Sequence, residues 1–528
     1  MIIRKPEYYD EFVCTANKCP FTCCREWKIE VDDETNEKWK KLQAPEGVYP
    51  VRKNMSQYTQ KKDNMRVIAL NKKHICPFLN EQKLCRLVCT FGDDVLSKTC
   101  RIFPREIHKF LDQEEFFLMP SCPAVIDLMK KYPNCNYIET GAENIEKEKN
   151  PEFNKLNFLR NVRSIFSDWM RRKEFDPQEN LKHIFFAALE LWRIWQENSN
   201  EDFLFSDDFN AQIKKNLKEY KTKKLQKELA DAISKIPSDQ ESAIFEQNEL
   251  FLDLTTNYER EGLYKSELKD VLNKARLIEE ENSTFLLEQK RKFNDHFSKW
   301  QELFRSFLTA EIESDCLLPD GNLQDFIVHL EWIALEYTAI KQFLFLDWMQ
   351  NGSLTYEKIR DTITLVCRMT GYEEDDIYEY MQDCFDDVVW EWGYLAFILT
   401  LWRNDVMRLL FRQRFFSWFD SYDIYNDNEE TVYTVKGQLS IGHCLTIYDA
   451  NNNRIGMVQE KFLTFLPKFE IYEYDLQNNC RYIGQISKEF TFFKPRYNID
   501  FNGWQIEGSW TEWDYSILDS NGRNIAQI

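Results

Sequence analysis

Between residues 155 and 405 the apolar positions recur at helical spacing. Phe158, Leu159, Val162, Ile165, Phe166, Trp169 and Met170 fall on one stripe, and Ile184, Phe185, Ala188, Trp192 and Trp195 on a second. The run from Phe326 to Met349 carries few charges on any side, the pattern of a helix buried all round. Trp392 to Trp402 is uncharged throughout and predicts a shorter buried helix. Loops are predicted at Asn198 to Asp202, around Pro237, and at Leu318 to Asn322, where LPDGN has turn chemistry. From about Met407 the period falls to two. Segments such as VYTVKG, LTIYDANNNRIGMV, KFEIYEYD, CRYIGQI, RYNIDF and WQIEG alternate apolar and polar residues, and the connectors YDANNNRIG and LDSNGRN carry the Asn and Gly of tight hairpins. An antiparallel meander follows. Aromatic-polar-Ile triplets at Tyr422-Asp423-Ile424, Phe469-Glu470-Ile471, Tyr497-Asn498-Ile499 and Tyr515-Ser516-Ile517 form a degenerate repeat, suited to a closed barrel without free edges.

Before residue 140 neither period holds. Prolines and Gly92 break this region into short loops and helical turns, and the charged stretch from Gly141 to Lys155 reads as a boundary. The fold class predicted is therefore multidomain. It has a Cys-rich metal-binding N-terminal region over 1–140, an all-α middle domain over 141–405, and an antiparallel β-barrel-like domain over 406–528.

Length and charge narrow the function classes. A chain of 528 residues exceeds what one core organises. Its formal charge of −20 repels phosphate backbones, so no nucleic-acid partner is expected. Glycine occurs only 15 times, with no GxGxG or GxxxxGK[ST] string, which disfavours a Rossmann-type cofactor domain. No apolar run reaches the roughly 18 residues that span a bilayer. The opening MIIRKPEYYDEFVC places Pro6, Glu7 and Asp10 where a signal peptide needs an apolar core. The expectation is a cytoplasmic protein with no transmembrane segment.

Ten of the 15 cysteines lie in the first 135 residues. In a reducing compartment such a cluster is metal-binding or catalytic rather than disulfide-linked. Cys14-x4-Cys19-x3-Cys23-Cys24 is followed by Trp27, and Cys76, Cys85, Cys89, Cys100 and Cys122 come later. Only His74 and His108 lie near these thiols, so an all-thiolate site is indicated, which zinc or an iron–sulfur cluster could use. The paired CxxC knuckles of a zinc ribbon and the CxxxCxxC of radical enzymes are both missing. Buried Cys also packs as a small hydrophobe, so some of these residues are expected to be core thiols. Trp27 and Phe21 are expected to pack over the site, and His329, in its apolar helix, to be a core histidine.

The strings CTANKCPFTCCREWKIEVDDET, CPFLNEQKLC, LSKTCRIFPRE and SCPAV resemble the flagellin lysine-N-methylase family. The resemblance is specific over residues 10 to 125 and carries over Cys14, Cys19, Cys23, Cys24, Cys76, Cys85, Cys100 and Cys122 as metal positions, with Cys89 and Cys135 as extras. It implies a cytoplasmic enzyme that binds a [4Fe-4S] cluster and moves a methyl group from S-adenosylmethionine to lysine side chains of flagellin. Arg101 and Arg105, flanking Cys100 and Pro104, are candidates to clamp a cosubstrate carboxylate.

The tail, with FFSWFDSYDIYN, YTVKGQLSIGHCLTIYDANNNRIG, KEFTFFKPRYNID and GWQIEGSW, resembles LURP-one-related, tubby-like barrels. Such barrels continue with further strands and a central apolar helix, so an incomplete barrel is expected, with Cys444 and Cys480 as spectators. The resemblance implies phospholipid or protein contact, so membrane-surface contact through this domain enters the reading. The alternative function is a non-catalytic metal-binding interaction protein, holding zinc or a structural cluster, whose β domain binds phospholipid or a partner.

Overall fold

The computed structural model of the chain describes residues 2–62, 65–141, 151–197, 240–371, 374–385, 387–389, 392–399, 410–413, 421–425, 431–438, 443–461, 468–475, 478–489, 496–508, 515–520 and 524–527, with single positions 211, 213, 215, 222 and 229. Most of the predicted boundary, at 142–150, lies outside the described residues, as do the predicted loops at 198–202 and around Pro237 and the positions of Trp402 and Met407. The chain divides into two compact units, Met1–Trp402 and Arg403–Ile528.

The first unit opens with strands where the sequence suggests only loops and turns. These are β1 (Ile2–Pro6), β2 (Thr59–Lys62), β3 (Met65–Ile68), β4 (Arg105–Lys109), β5 (Gln113–Leu118) and β6 (Tyr137–Gly141). Four of them form one sheet in the order β4-β5-β1-β6, with β1 parallel to β5 and antiparallel to β6. They escape the period-two pattern because charged side chains sit on their buried face. Glu115 is fully buried, directly across from Arg4 on β1 and His108 on β4. Four short helices punctuate the region: α1 (Asp33–Trp39), α2 (Arg86–Phe91), α3 (Lys98–Ile102) and α4 (Pro123–Lys131). A small core of Ile29, Val31, Trp39, Met55, Tyr58, Phe78 and Leu87 lies between the loops and helices of residues 24–100.

Ten further helices follow among the described residues: α5 (Pro151–Met170), α6 (Pro177–Glu197), α7 (Gln240–Arg260), α8 (Lys265–Arg276), α9 (Ser283–Phe297), α10 (Gln301–Ser314), α11 (Leu323–Asn351), α12 (Tyr356–Thr370), α13 (Glu374–Cys384) and α14 (Trp392–Ile398). The predicted stripes are the buried faces. Phe158, Leu159, Val162, Phe166, Trp169 and Met170 are buried on α5, and Ile184, Phe185 and Ala188 on α6. Every residue of α11 from Phe326 to Trp348 is buried, as an apolar surface all round requires. The LPDGN segment turns through a Gly321 N–H to Leu318 C=O bond of 3.1 Å. Asn322 then starts α11 with a capping box shared with Asp325, and Gly352 at φ 67° ends it. One continuous core runs from Tyr8 to Leu399, so the N-terminal sheet and the helices are packed together. No helix among the described residues is long and apolar enough to cross a membrane.

The second unit is a meander of eleven strands, β7 (Leu410–Gln413), β8 (Ser421–Tyr425), β9 (Thr431–Gly437), β10 (Cys444–Asp449), β11 (Arg454–Glu460), β12 (Lys468–Tyr474), β13 (Cys480–Lys488), β14 (Arg496–Ile499), β15 (Trp504–Gly508), β16 (Tyr515–Leu518) and β17 (Asn524–Gln527). Each pairs antiparallel with its neighbours in sequence. The four aromatic-polar-Ile triplets lie on β8, β12, β14 and β16, strands that run in one direction, with Ile424 and Ile499 buried. Among the described residues β7 and β17 do not pair, so the sheet is open and not the closed barrel that the repeat suggests. The repeat specifies strand direction and spacing, whereas closure depends on the stagger accumulated across all strands.

Candidate functional site

Three backbone devices draw distant cysteines together. Residues 24–26 pair with 74–76: Cys76 N–H donates to Cys24 C=O at 2.8 Å and Glu26 N–H to His74 C=O at 2.8 Å, with Arg25 opposite Ile75. Leu79 pairs with Cys85, the residue just before α2, which turns the CPFLNEQKLC segment back on itself. Ser97 caps α3, accepting from Cys100 N–H at 3.2 Å, so the Leu-Ser-x-Thr-Cys string places its thiol in the first turn of a capped helix. Asp32 secures that helix from α1 by accepting from Lys98 N–H at 2.9 Å.

Cys24, Cys76, Cys85 and Cys100 thereby pack on the small core, and Cys23 lies beside them. Burial, and then the neighbouring thiols, push Cys76 and Cys85 up and Cys100 to about 11. Cys23 goes the other way, lowered by the Cys24 side chain beside it and then by the positive charge of Arg368, against the penalty of burial. Trp27 donates through Nε1 to Cys23 C=O at 2.5 Å and sets its ring 5.0 Å from that of Phe103. Phe21 is buried beneath the Arg368 guanidinium. Both aromatics flank the cysteine loop.

The donor set is five thiols in an apolar setting, chemistry that suits an all-thiolate metal site. Among the described residues, no set of three or more His, Cys, Asp or Glu side chains stands ready to hold a metal ion. The thiols share a neighbourhood without forming a closed ligand shell, packed as small apolar groups.

The other three carried-over cysteines are placed differently. Cys19 is half-buried and donates to Phe21 C=O at 2.8 Å, and Cys122 is buried just before α4, where burial pushes its thiol up. Cys14 is exposed, accepting from Ala16 N–H at 3.4 Å. Arg105 lies over the rings of Phe12 at 5.0 Å and Tyr9 at 5.8 Å, and Arg101 is exposed in the last turn of α3. His329 is buried in α11 and held near pKa 4 by burial, with no hydrogen-bond partner at Nε2 among the described residues.

Sequence reasoning missed Arg368 on α12. Its Nε donates to Ser121 C=O at 2.9 Å, Nη1 to Thr22 C=O at 3.1 Å and Nη2 to Phe21 C=O at 3.1 Å, joining the helical core to both cysteine loops. Two buried charge groups were also missed. Glu115 and Glu313 are held by Arg4 and Arg163, and Glu311, Asp315 and Glu336 gather between α10 and α11. Burial and then Glu106 raise Asp315 to about 7. One signal was available: Glu331, Glu336, Lys341 and Asp347 sit inside a run that is otherwise largely apolar, where a charge has little route to water.

Residues 163–399 match the family described as the FliB lysine N-methylase C-terminal domain, and residues 407–528 match the LURP-one-related family. The flagellar biosynthetic protein FliU of Salmonella muenchen is 29% identical over 143 residues, 25% of this chain and 79% of that protein. A lysine-N-methylase of Salmonella typhimurium (strain LT2) is 28% identical over 143 residues, 25% of this chain and 33% of that protein. The uncharacterized protein YxjI of Bacillus subtilis (strain 168) is 26% identical over 121 residues, 23% of this chain and 70% of that protein. The chain thus spans a third of the lysine-N-methylase it matches. No solved structure matches. Both resemblances carried by the sequence strings, to lysine N-methylases and to LURP-one-related proteins, are borne out.

Proposed function

We propose that a chain carrying these two likenesses is a protein lysine N-methyltransferase, which moves a methyl group from S-adenosylmethionine to lysine side chains of flagellin and holds a [4Fe-4S] cluster. The observation that carries this reading is the gathering of Cys23, Cys24, Cys76, Cys85 and Cys100 against one small core, in a chain whose helical region matches a lysine N-methylase domain. Four of the five would supply thiolates, and the fifth would pack as an apolar thiol. When bound, such a cluster supplies an electron-transfer centre whose potential depends on burial and on hydrogen bonds to its sulfurs. In this reading Trp27 and Phe103 exclude water from the thiols, and Arg368 holds the Phe21–Thr22 backbone in register with Ser121. The acceptor lysine reacts as the neutral amine, and each methyl transferred to nitrogen releases one proton, so a base or a water path completes the reaction. Reduced thiols fit a cytoplasmic location.

Metal and sulfide analysis after anaerobic purification tests the cluster, and mass spectrometry of flagellin incubated with the protein and S-adenosylmethionine tests the transfer. Iron with acid-labile sulfide, and methylated lysines on flagellin, are the expected results. Zinc in their place, with unmodified flagellin, would overturn the reading in favour of a non-catalytic metal-binding interaction protein.

A further inference from the structure

Three elements far apart in sequence converge on a small aromatic platform that the thiol chemistry does not use. Trp300 closes the short turn Ser298–Trp300 before α10, and Tyr356 opens α12. Both rings are half-buried and packed against the helical core, so their positions are fixed. Their centroids lie 6.0 Å apart in a stacked arrangement, with the planes at 28°. Lys130, in the last turn of α4, sets its ammonium 3.5 Å from the centre of the Tyr356 ring and 6.0 Å from that of Trp300. Both distances are within cation–π reach. Lys130 is exposed and has no carboxylate at ion-pair distance among the described residues, although Asp127 stands one turn back on the same helix. The aromatic face, and not a carboxylate, holds this ammonium.

The charge around the platform favours a cation. Asp127 accepts from the Tyr356 hydroxyl at 2.6 Å and lies 3.7 Å from Arg360, which is paired with Asp361 at 2.9 Å and stands 5.8 Å from the Tyr356 ring. Two carboxylates thus face one guanidinium, and one negative charge is left for a second cation. Lys130 fills that seat weakly. A primary ammonium is strongly hydrated, and at a half-exposed ring it sheds little of its water. A methylated ammonium keeps the charge, gives up its water more readily and lays its methyl groups against the ring, the basis on which aromatic faces recognise quaternary ammonium groups.

We propose that Trp300, Tyr356 and Asp127 form a recognition site for a methylated lysine side chain of a protein substrate, a site that Lys130 covers until it is displaced. The choice of ligand rests on the methyltransferase reading above, whose product is methyl-lysine, and the site gives the chain a means of retaining a substrate it has modified.

Fluorescence anisotropy of the full chain tests it with two labelled peptides of one sequence, one bearing trimethyllysine and the other unmodified lysine. The trimethylated peptide is expected to bind more tightly. Lys130→Ala, a change at an exposed position, removes the competing ammonium and is expected to strengthen that peptide by a further factor of about two to five. Tyr356→Leu, in protein with a native circular dichroism spectrum, should abolish the preference, whereas Tyr356→Phe keeps the ring and should retain it. Equal binding of the two peptides to the Lys130→Ala protein, or a preference that survives Tyr356→Leu, would overturn the site. Methylation of flagellin by the same preparations separates the two readings. A protein that methylates without discriminating the peptides overturns the site alone, and one that discriminates without methylating supports the site and overturns the methyltransferase reading.

Discussion

Arg368 Nη1 donates to the Thr22 carbonyl at 3.1 Å, a bond that spans 346 residues of sequence. With the bonds to Phe21 and Ser121, one guanidinium orders the loop carrying Cys19, Cys23 and Cys24 and the turn before Cys122. A planar fork is suited to several carbonyls at once, whereas an ammonium is a single point of charge. Arg368→Lys is therefore expected to loosen the loop by roughly 2–4 kcal/mol. Hydrogen exchange across residues 19–24 should accelerate while the far-UV helical signal stays unchanged. Unaltered exchange there would remove Arg368 from this role.

The eight carried-over cysteines should not be equivalent. Cys14→Ser changes an exposed thiol apart from the group and should leave iron and sulfide content as it was. Cys76→Ser and Cys100→Ser change thiols packed within it and should lower both. Equal losses from all three substitutions would contradict the separation seen in the structure.

Glu115 links folding to pH. Burial works against its charge, but Arg163, Arg4 and Arg160 more than offset this and hold its carboxyl at about 2 against an ordinary 4.5. A carboxylate with a lowered folded-state value contributes stability that is complete above 4.5 and is lost as pH falls toward 2. The contribution is about 3 kcal/mol. Glu115→Gln should cost roughly that much or more, by leaving buried arginines short of a counter-charge. Denaturant titrations of the two proteins should converge as the pH drops through this window; a constant gap would exclude the linkage.

In the C-terminal unit, Gly484 on β13 lies against Asp500 and Phe501. A methyl group added there would meet the Asp500 carboxylate and come within 2.9 Å of the Phe501 Cβ. Gln485 N–H also donates to Asp500 Oδ1 at 2.7 Å, so the loop has little freedom to retreat. Gly484→Ala should destabilise this sheet by roughly 1–3 kcal/mol. The loss would appear as a lower unfolding temperature of the β signal in circular dichroism, and an unchanged temperature would show that the loop yields.

Much of this architecture is legible in the residues. The stripe from Phe158 to Met170 and the largely apolar run from Phe326 to Met349 dictate buried helices, and the Asn-Gly connectors dictate hairpins. The N-terminal sheet is hidden, because Glu115 is buried and Arg4 mostly so, through ion pairs whose members lie 111 and 309 residues apart. Spacing alone also could not separate Cys14 from Cys23. That distinction comes from the pairing of residues 24–26 with 74–76, which no local pattern announces.

The place of β1 inside its sheet has a consequence for biosynthesis. The segment Ile2–Pro6 leaves the ribosome before either of its sheet partners, since its parallel neighbour is Gln113–Leu118 and its other neighbour is Tyr137–Gly141. It therefore waits unpaired while about a hundred more residues are translated, and Arg4 meets Glu313 only once α10 has emerged. A nascent chain with such distant partners folds late and depends on protection of its early segments until then.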